Sequence, residues 1–521
     1  MKTLEQMTPE EKLGRVLCAR RFETQEDIDF TLDLVKRGAC GALQIKFNDK
    51  TRELIETFRA AADYPILIIN DMECGFPLSS LPEIPMVTLA ACGNPDYTRT
   101  FAAAIAREAR EMGFSGCWSP IVDILLTDGP CTVARTAGDT PEAVTAVARE
   151  ILYAFNSYRF HGAAKHYPGG HDNPIDSHMA ERVTSADAAQ LLSRDLAPYL
   201  SLMKEGLLPA VMVGHQVCPQ IDDLPASLSK KVIDLLRNEG FDGVMFTDSL
   251  AMMGILQKYG EDGAMAMALM AGNDIILPNY RTPTKDVYEM MLAAYRDGRI
   301  TDARLDEAVR RVMRLEQYCA EEPTAPVPVP DNVEEILESI ARDSVTAECA
   351  EGVAASIDPE KPRLFVVLTP SDYDESRIAA EITTKAWYDP HRIKTAIEEN
   401  FPNGKIVTLP EFPQGWQNER VLNAATAYDE VVFVTYCQTG AYLGTDGLTR
   451  RVESVIEALA IPKKIVALVH FGNPLATNPL PALPRVIYGY TAPAAQPYAF
   501  RVLAGKMPAR GKMPFPRLLK Q

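Results

Sequence analysis

Short runs of apolar residues, several rich in Val and Ile, punctuate roughly the first three fifths of the chain at 41–45, 66–70, 118–123, 162–166, 211–214, 244–247 and 274–277, with a further candidate at 14–18. Between them the apolar positions switch to helical spacing. Leu305, Ala308, Val309, Val312 and Leu315 follow an i, i+3, i+4, i+7 pattern after the polar turn at Thr301 and Asp302, and Ser185 precedes a stripe of Leu192, Leu196, Leu200 and Met203. Short strands apolar on both faces, separated by helices, predict βα units on a parallel sheet. Eight such strands, with polar residues just beyond several of them, predict a (β/α)8 TIM-like barrel rather than an open sheet.

The run Glu-Glu-Pro-Thr-Ala-Pro-Val-Pro-Val-Pro-Asp-Asn at 321–332 places four prolines in eight residues, which forbids a helix and favours an extended connector. The expected domains are therefore a barrel over 1–320, a Pro-rich linker over 321–332 and a smaller α/β sandwich domain over 333–521. In the last of these, 364–368, 405–409, 431–436, 465–470 and 486–490 repeat the buried-strand pattern and predict five or six strands.

Composition narrows the function classes. Of 521 residues, 47% are hydrophobic and 24% charged, the balance of a chain folded throughout. A formal charge of −17 with no basic stripe argues against a nucleic-acid partner. No window approaches the roughly 18 consecutive apolar residues of a membrane span, and the N-terminal residues lack the apolar core of a secretory signal, so the expected location is cytoplasmic with no membrane partner. Ten scattered cysteines, at 18, 40, 74, 92, 117, 131, 218, 319, 349 and 437, include no C-x-x-C pair. They predict buried thiols rather than disulfides or structural zinc. Composition leaves the oligomeric state open.

Five of the seven histidines fall between His161 and His215. The segment from Lys165-His166 through Pro168-Gly169-Gly170-His171 to Asp176-Ser177-His178 opens a strand end into a Gly/Pro loop, where a barrel carries its chemistry. Asp176 and His178, two residues apart, suit a dyad in which the carboxylate holds one ring nitrogen while the other exchanges a proton; a merely structural pair is the alternative. His161, His166, His171 and His178 are spaced five, five and seven apart, which matches no zinc-hydrolase pattern, so no metal is expected. At Thr247-Asp248-Ser249-Leu250 a four-residue strand delivers a carboxylate at its C-terminal end, either as a nucleophile or as a helix cap.

These motifs occur in a fixed order: Lys165-His166, Asp176-Ser177-His178, Met212-Val213-Gly214-His215, Pro225-Ala226-Ser227-Leu228-Ser229, Phe241-Asp242-Gly243-Val244 and Thr247-Asp248-Ser249-Leu250. Together with Asp71-Met72-Glu73-Cys74-Gly75, Ser119-Pro120-Ile121-Val122-Asp123, Arg135, Gly472-Asn473-Pro474 and Gly511-Lys512-Met513-Pro514, the chain resembles glycoside hydrolase family 3 over nearly its whole length. Closest in pattern is the β-N-acetylhexosaminidase branch of the peptidoglycan-recycling kind. The resemblance implies that Asp248 is the nucleophile forming a covalent glycosyl-enzyme, and that His178, oriented by Asp176, is the acid/base. It implies that Asp71, Arg135, Lys165, His166 and His215 hold sugar hydroxyls of a small carbohydrate substrate, and that no cofactor is needed.

Two departures stand out. The family's Pro-Gly-His-Gly turn is here Pro168-Gly169-Gly170-His171, and the Arg the family carries shortly after its Asp-x-Glu-x-Gly turn is missing from residues 76–86. The expected reaction is retaining hydrolysis of terminal β-linked N-acetylglucosamine from small glycosides or muropeptide-like oligosaccharides. A β-N-acetylglucosaminide phosphorylase or β-glucosidase on the same scaffold is the enzymatic alternative, since a neutral histidine does not repel phosphate. A degenerate sugar-binding protein is the non-enzymatic one. In β-glucosidases of the family the second domain supplies a Glu acid, for which Glu453 and Glu457 are the nearest candidates here.

Overall fold

In the computed structural model, which describes residues 2–129, 132–371, 373, 388–437 and 440–520, two compact units form. The first comprises Met1–Ser80, Pro95–Thr127 and Thr140–Val333, and the second Leu81–Asn94, Asp128–Asp139 and Glu334–Gln521. The last change of unit falls after Val333, and the segments Leu81–Asn94 and Asp128–Asp139 group with the second unit. Their anchors are backbone and side-chain bonds: the Lys512 N–H donates to the Ala91 carbonyl, Asn473 Nδ2 to Asp128, and the Arg517 N–H to Asp139.

The first unit is an α/β structure with a curled parallel sheet. Its strands are β1 (Cys18–Ala19), β2 (Ala42–Gln44), β3 (Leu67–Asn70), β4 (Gly116–Cys117), β5 (His161–Tyr167), β6 (Ala210–Val213) and, after a short antiparallel hairpin of β7 (Val217–Cys218) and β8 (Asp222–Pro225), β9 (Val244–Thr247). The sheet order is β1-β2-β3-β4-β5-β6-β9, with helices between successive strands. Parallel bridges from Ile275 to Phe246 and from Ile276 to Leu17 link the two edges, so 274–277, expected as a full strand, contributes single-residue pairing on each side.

The alternation along the strands explains why they read as unbroken apolar runs. Ala163, Ala210, Met212, Val244 and Phe246 pack with Leu67, Ile69 and Trp118, whereas Ala164, Val211, Val213 and Met245 pack on helix residues Val144, Leu152, Tyr199, Val232 and Leu236. Both faces are buried, as a parallel sheet requires. His161 belongs to this core: it stacks on Phe246 at 5.9 Å between centroids, and burial pushes its pKa down to about 3. It is a neutral core imidazole.

Three elements differ from expectation. Gly14 lies inside the helix Pro9–Arg15, started by Thr8, whose side chain accepts from the Glu11 N–H, so the strand there begins only at Cys18. The strand expected at 118–123 stands before it at Gly116–Cys117, leaving one bridge at Ile121 within the expected span, because Pro120 has no N–H to give a ladder. The helix expected after Ser185 starts at Ala188 on the Asp187 cap, since the Ser185 hydroxyl and N–H are both taken by Asp172; it then widens through a π turn at Leu191–Asp195 before Ala197–Lys204.

The second unit holds a six-stranded sheet in the order β10-β15-β14-β13-β11-β12. Its strands are β10 (Thr346–Cys349), β11 (Arg363–Thr369), β12 (Gly404–Pro410), β13 (Val431–Tyr436), β14 (Ile465–Phe471) and β15 (Arg485–Tyr490). All neighbours are parallel except β10 on β15. Nine cysteines are free thiols; Cys131 lies outside the described residues. Among the described residues, no helix is long and apolar enough to cross a membrane.

Candidate active site

Strand ends of the first unit deliver the polar groups. Asp248 follows β9, its N–H donating to the Val213 carbonyl at 2.8 Å, which continues the sheet for one more residue. Its Oδ1 accepts from the Ser249 N–H at 2.6 Å, and its Oδ2 lies 4.0 Å from His166 Nε2. Burial pushes the Asp248 carboxyl up, but His166, His215, the Ser249 N–H and Lys165 outweigh it and hold it below its ordinary value. The carboxylate is therefore ionised at neutral pH and poised as a nucleophile or anionic stabiliser.

Lys165, on β5, is buried between two carboxylates, with its ammonium 2.7 Å from Asp71 and 2.5 Å from Glu73. Asp71 follows β3 and keeps 52% of its side chain exposed, leaving acceptor capacity toward solvent.

Asp123 is the buried hub. His166 Nδ1 lies 2.7 Å from Asp123 Oδ2 and the His166 N–H donates to Oδ1 at 2.9 Å, while His171 Nε2 lies 3.0 Å from Oδ1. Glycines make this reach achievable. Gly169 and Gly170 have φ of 83° and 76°, in the left-handed region, so the rearranged Pro-Gly-Gly-His turn still brings His171 to the carboxylate. Burial raises the Asp123 carboxyl, yet the two imidazoles hold it well below the ordinary range.

Asp123, His166 and His171 also offer three metal-capable atoms within 4.8 Å of one another. Proton bookkeeping assigns them otherwise. Arg182 Nη1 is hydrogen-bonded to His171 Nδ1, and because a guanidinium only donates, Nδ1 accepts and Nε2 carries the proton given to Asp123. Burial, with Arg182 adding to it, lowers the His171 pKa, consistent with this neutral tautomer. Each contact to Asp123 is then an N–H donated to a carboxylate oxygen, a clamp that fixes His166 with its Nε2 facing Asp248. Exhaustive dialysis against a chelator is accordingly expected to leave activity intact; loss that is restored by one equivalent of a divalent ion would overturn this assignment.

The loop after His171 carries the predicted dyad. Asp176 is buried, and its Oδ1 accepts from the His178 N–H at 2.9 Å and meets His178 Nδ1 at 2.8 Å. The ring is thereby held in the tautomer with Nδ1 protonated, and 26% of the side chain remains exposed. Arg182 Nε braces the loop on the Ile175 carbonyl at 2.8 Å, and the Met253 N–H donates to the His178 carbonyl at 3.3 Å, which ties the loop to the segment following Asp248.

His215 has both ring nitrogens engaged, Nδ1 with Ser227 Oγ at 2.8 Å and Nε2 with the Ser249 carbonyl at 3.0 Å. It braces the Asp248 turn. Arg135 lies in Asp128–Asp139, a segment of the second unit, where its N–H donates to the Thr132 carbonyl at 3.0 Å. In the same unit Glu457 is paired with Arg450 at 2.5 Å and Glu453 lies 3.4 Å from it.

Sequence reasoning passed over Glu73, Asp123 and Arg182. The first two stand within the motif runs 71–75 and 119–123, so their signal was present. Arg182 carries no motif signal, since its partners are the Ile175 carbonyl and His171, eleven residues back.

The model of the Glycosyl hydrolase family 3 N terminal domain matches residues 10–315. The chain is 29% identical over 334 residues to a "Beta-N-acetylglucosaminidase/beta-glucosidase" of Cellulomonas fimi, covering 60% of this chain and 58% of that protein. It is 31% identical over 238 residues to a "Beta-hexosaminidase LpqI" of Mycobacterium tuberculosis, covering 44% and 60%. The chain thus spans about three fifths of the length of these curated relatives. A solved glycoside hydrolase family 3 beta-N-acetylglucosaminidase from Paenibacillus sp. str. FPU-7 superposes with a TM-score of 0.80 at 25% identity, covering 99% of this chain and 100% of that one. A "Beta-glucoside phosphorylase BglX" superposes with a TM-score of 0.82 at 19% identity, covering 99% and 95%, a likeness of fold alone.

Proposed function

This chain belongs to glycosyl hydrolase family 3, and from that premise we propose that it hydrolyses terminal β-linked N-acetylglucosamine with retention of configuration. The observation that carries the reading is the presence on one unit of an ionised strand-end carboxylate, Asp248, and a half-buried imidazole held at Nδ1 by a buried carboxylate, His178 on Asp176. In the first step Asp248 Oδ2 bonds to the anomeric carbon as its bond to the leaving oxygen breaks, and His178, entering the step protonated on both ring nitrogens, gives that oxygen its Nε2 proton. In the second, His178 takes a proton from water, the water oxygen bonds to the anomeric carbon, and the ester to Asp248 breaks. Lys165 and Asp71 surround the sugar as charged hydroxyl partners, and His166 as a polar one. In this reading the curled sheet is the core of a (β/α)8 barrel, the second unit is a smaller α/β sandwich domain, and the substrate is a small glycoside or muropeptide-like fragment.

The names of the relatives support the sugar. A panel of p-nitrophenyl β-glycosides tests it: the β-GlcNAc substrate is expected to be cleaved about a hundredfold or more faster than the β-glucoside, because contacts to the 2-acetamido group are lost in the latter. Preference for the glucoside or xyloside would replace the sugar. Acceleration by phosphate, with a sugar 1-phosphate as product, would make the enzyme a phosphorylase.

A further inference from the structure

Arg20 stands immediately after β1, at the same end of the sheet as Asp248 and Asp71. Three of its donated bonds stay within the protein: Nε to Gln44 Oε1 at 2.5 Å, and Nη1 to Ser249 Oγ and to the Pro278 carbonyl, both at 2.7 Å. These fix the guanidinium plane and bind β1 to β2, to the Asp248 turn and to the segment that closes the sheet. Nη2 makes no hydrogen bond among the described residues and is not among the buried unpartnered atoms, on a residue that is itself half-buried. The guanidinium carbon also lies 5.5 Å from the centroid of the Tyr280 ring, a contact that leaves the Nη2 donor unspent.

The neighbouring strand ends carry a connected set of polar groups. Gln44 Nε2 continues from Arg20 to Asn70 Oδ1 at 3.3 Å, the same oxygen accepts the Asp71 N–H at 2.8 Å, and Asp71 meets Lys165, which neighbours His166. A chain of strand-end polar groups therefore runs from the Asp248 turn through Arg20 to Asp71. Burial lowers the proton affinity of the guanidinium, and the carboxylates of Asp248 and Asp71 are among the charges that oppose this. Residues 76–86, which follow the Asp71–Gly75 turn, contain no cation of their own.

We propose that Arg20 is a substrate-binding residue whose Nη2 donates to a hydroxyl oxygen on the edge of the terminal sugar that Asp71 also engages. A sugar hydroxyl has one proton to give and lone pairs to receive. Placed between an exposed carboxylate and a fixed guanidinium, such an edge is satisfied in both senses by charge-assisted bonds. Arg20 would thus set which sugar the site accepts. The inference rests on the glycoside reading of the Asp248 site.

The test is a calorimetric cycle with N-acetylglucosamine and its 3-, 4- and 6-deoxy analogues, titrated into the wild-type protein, Arg20→Met and Arg20→Lys. One deoxy sugar is expected to bind wild type about 10–100-fold more weakly, and Arg20→Met should bind the parent sugar more weakly by a similar factor with no further loss on that one analogue. Penalties on the other analogues should persist. Arg20→Lys, which keeps the charge and one anchor, is expected to recover part of the discrimination and serves if the Met variant fails to fold. A uniform loss on every sugar, matched by Ser249→Ala, would make Arg20 a positioning residue and overturn the proposal. Absence of binding by wild type to every sugar, with no turnover of any β-glycoside, would overturn the glycoside reading instead.

Discussion

Asp248→Asn is expected to lower kcat by about 10⁴-fold or more on every β-glycoside, whatever its leaving group. The amide keeps the shape and can still accept the Ser249 N–H bond that Asp248 Oδ1 accepts at 2.6 Å, so the turn after β9 has no reason to change. What disappears is the anion able to bond to the anomeric carbon. The groups that hold the carboxyl below its ordinary value, His166 and Lys165 among them, would then face a neutral amide. Thermal unfolding supplies the control, since a variant with an unaltered Tm and no turnover has lost chemistry rather than structure. Retention of more than about one hundredth of wild-type turnover would remove Asp248 from the nucleophile's role.

Much of this arrangement was legible in the chain, and the exceptions have physical causes. The run at 244–247 coincides with β9, and 431–436 with β13, because both faces of a parallel strand are buried and every position selects an apolar side chain. β10 escaped notice because, as the antiparallel edge strand, it is partly exposed and reads Thr-Ala-Glu-Cys. The dyad was legible because its partners are two residues apart and close through a local turn. Arg20 was not, since its partners Ser249 and Pro278 lie more than two hundred residues away and meet it only where the sheet curls round to join its edges. His171 shows a third case. It is displaced by one position from the family's turn, and two glycines with left-handed φ carry the ring to Asp123 all the same. His215 fits the pattern too: the family resemblance implied a sugar contact, while its two bonds to Ser227 and the Ser249 carbonyl are visible only in three dimensions.

The second large effect separates the proton from the nucleophile. His178→Ala is expected to slow hydrolysis of a GlcNAc-β-linked sugar, a poor leaving group, by about 10²–10⁴-fold, because the departing alkoxide needs the proton that the ring supplies. Dinitrophenolate, stable without a proton, should still leave rapidly in the first step. Water then lacks a general base in the second step, so the glycosyl-enzyme accumulates and a burst of one equivalent precedes slow turnover. Azide, which attacks without deprotonation, should relieve the block and yield a β-glycosyl azide. Asp176→Asn should fall between wild type and His178→Ala, with the same dependence on leaving group. The amide can still accept from the ring, but it removes the buried charge that stabilises the protonated imidazole across the 2.8 Å contact. Equal slowing of activated and unactivated substrates by His178→Ala would assign the proton transfer to another group, and it would leave the Asp176–His178 pair as a brace for the loop that Arg182 and Met253 already hold.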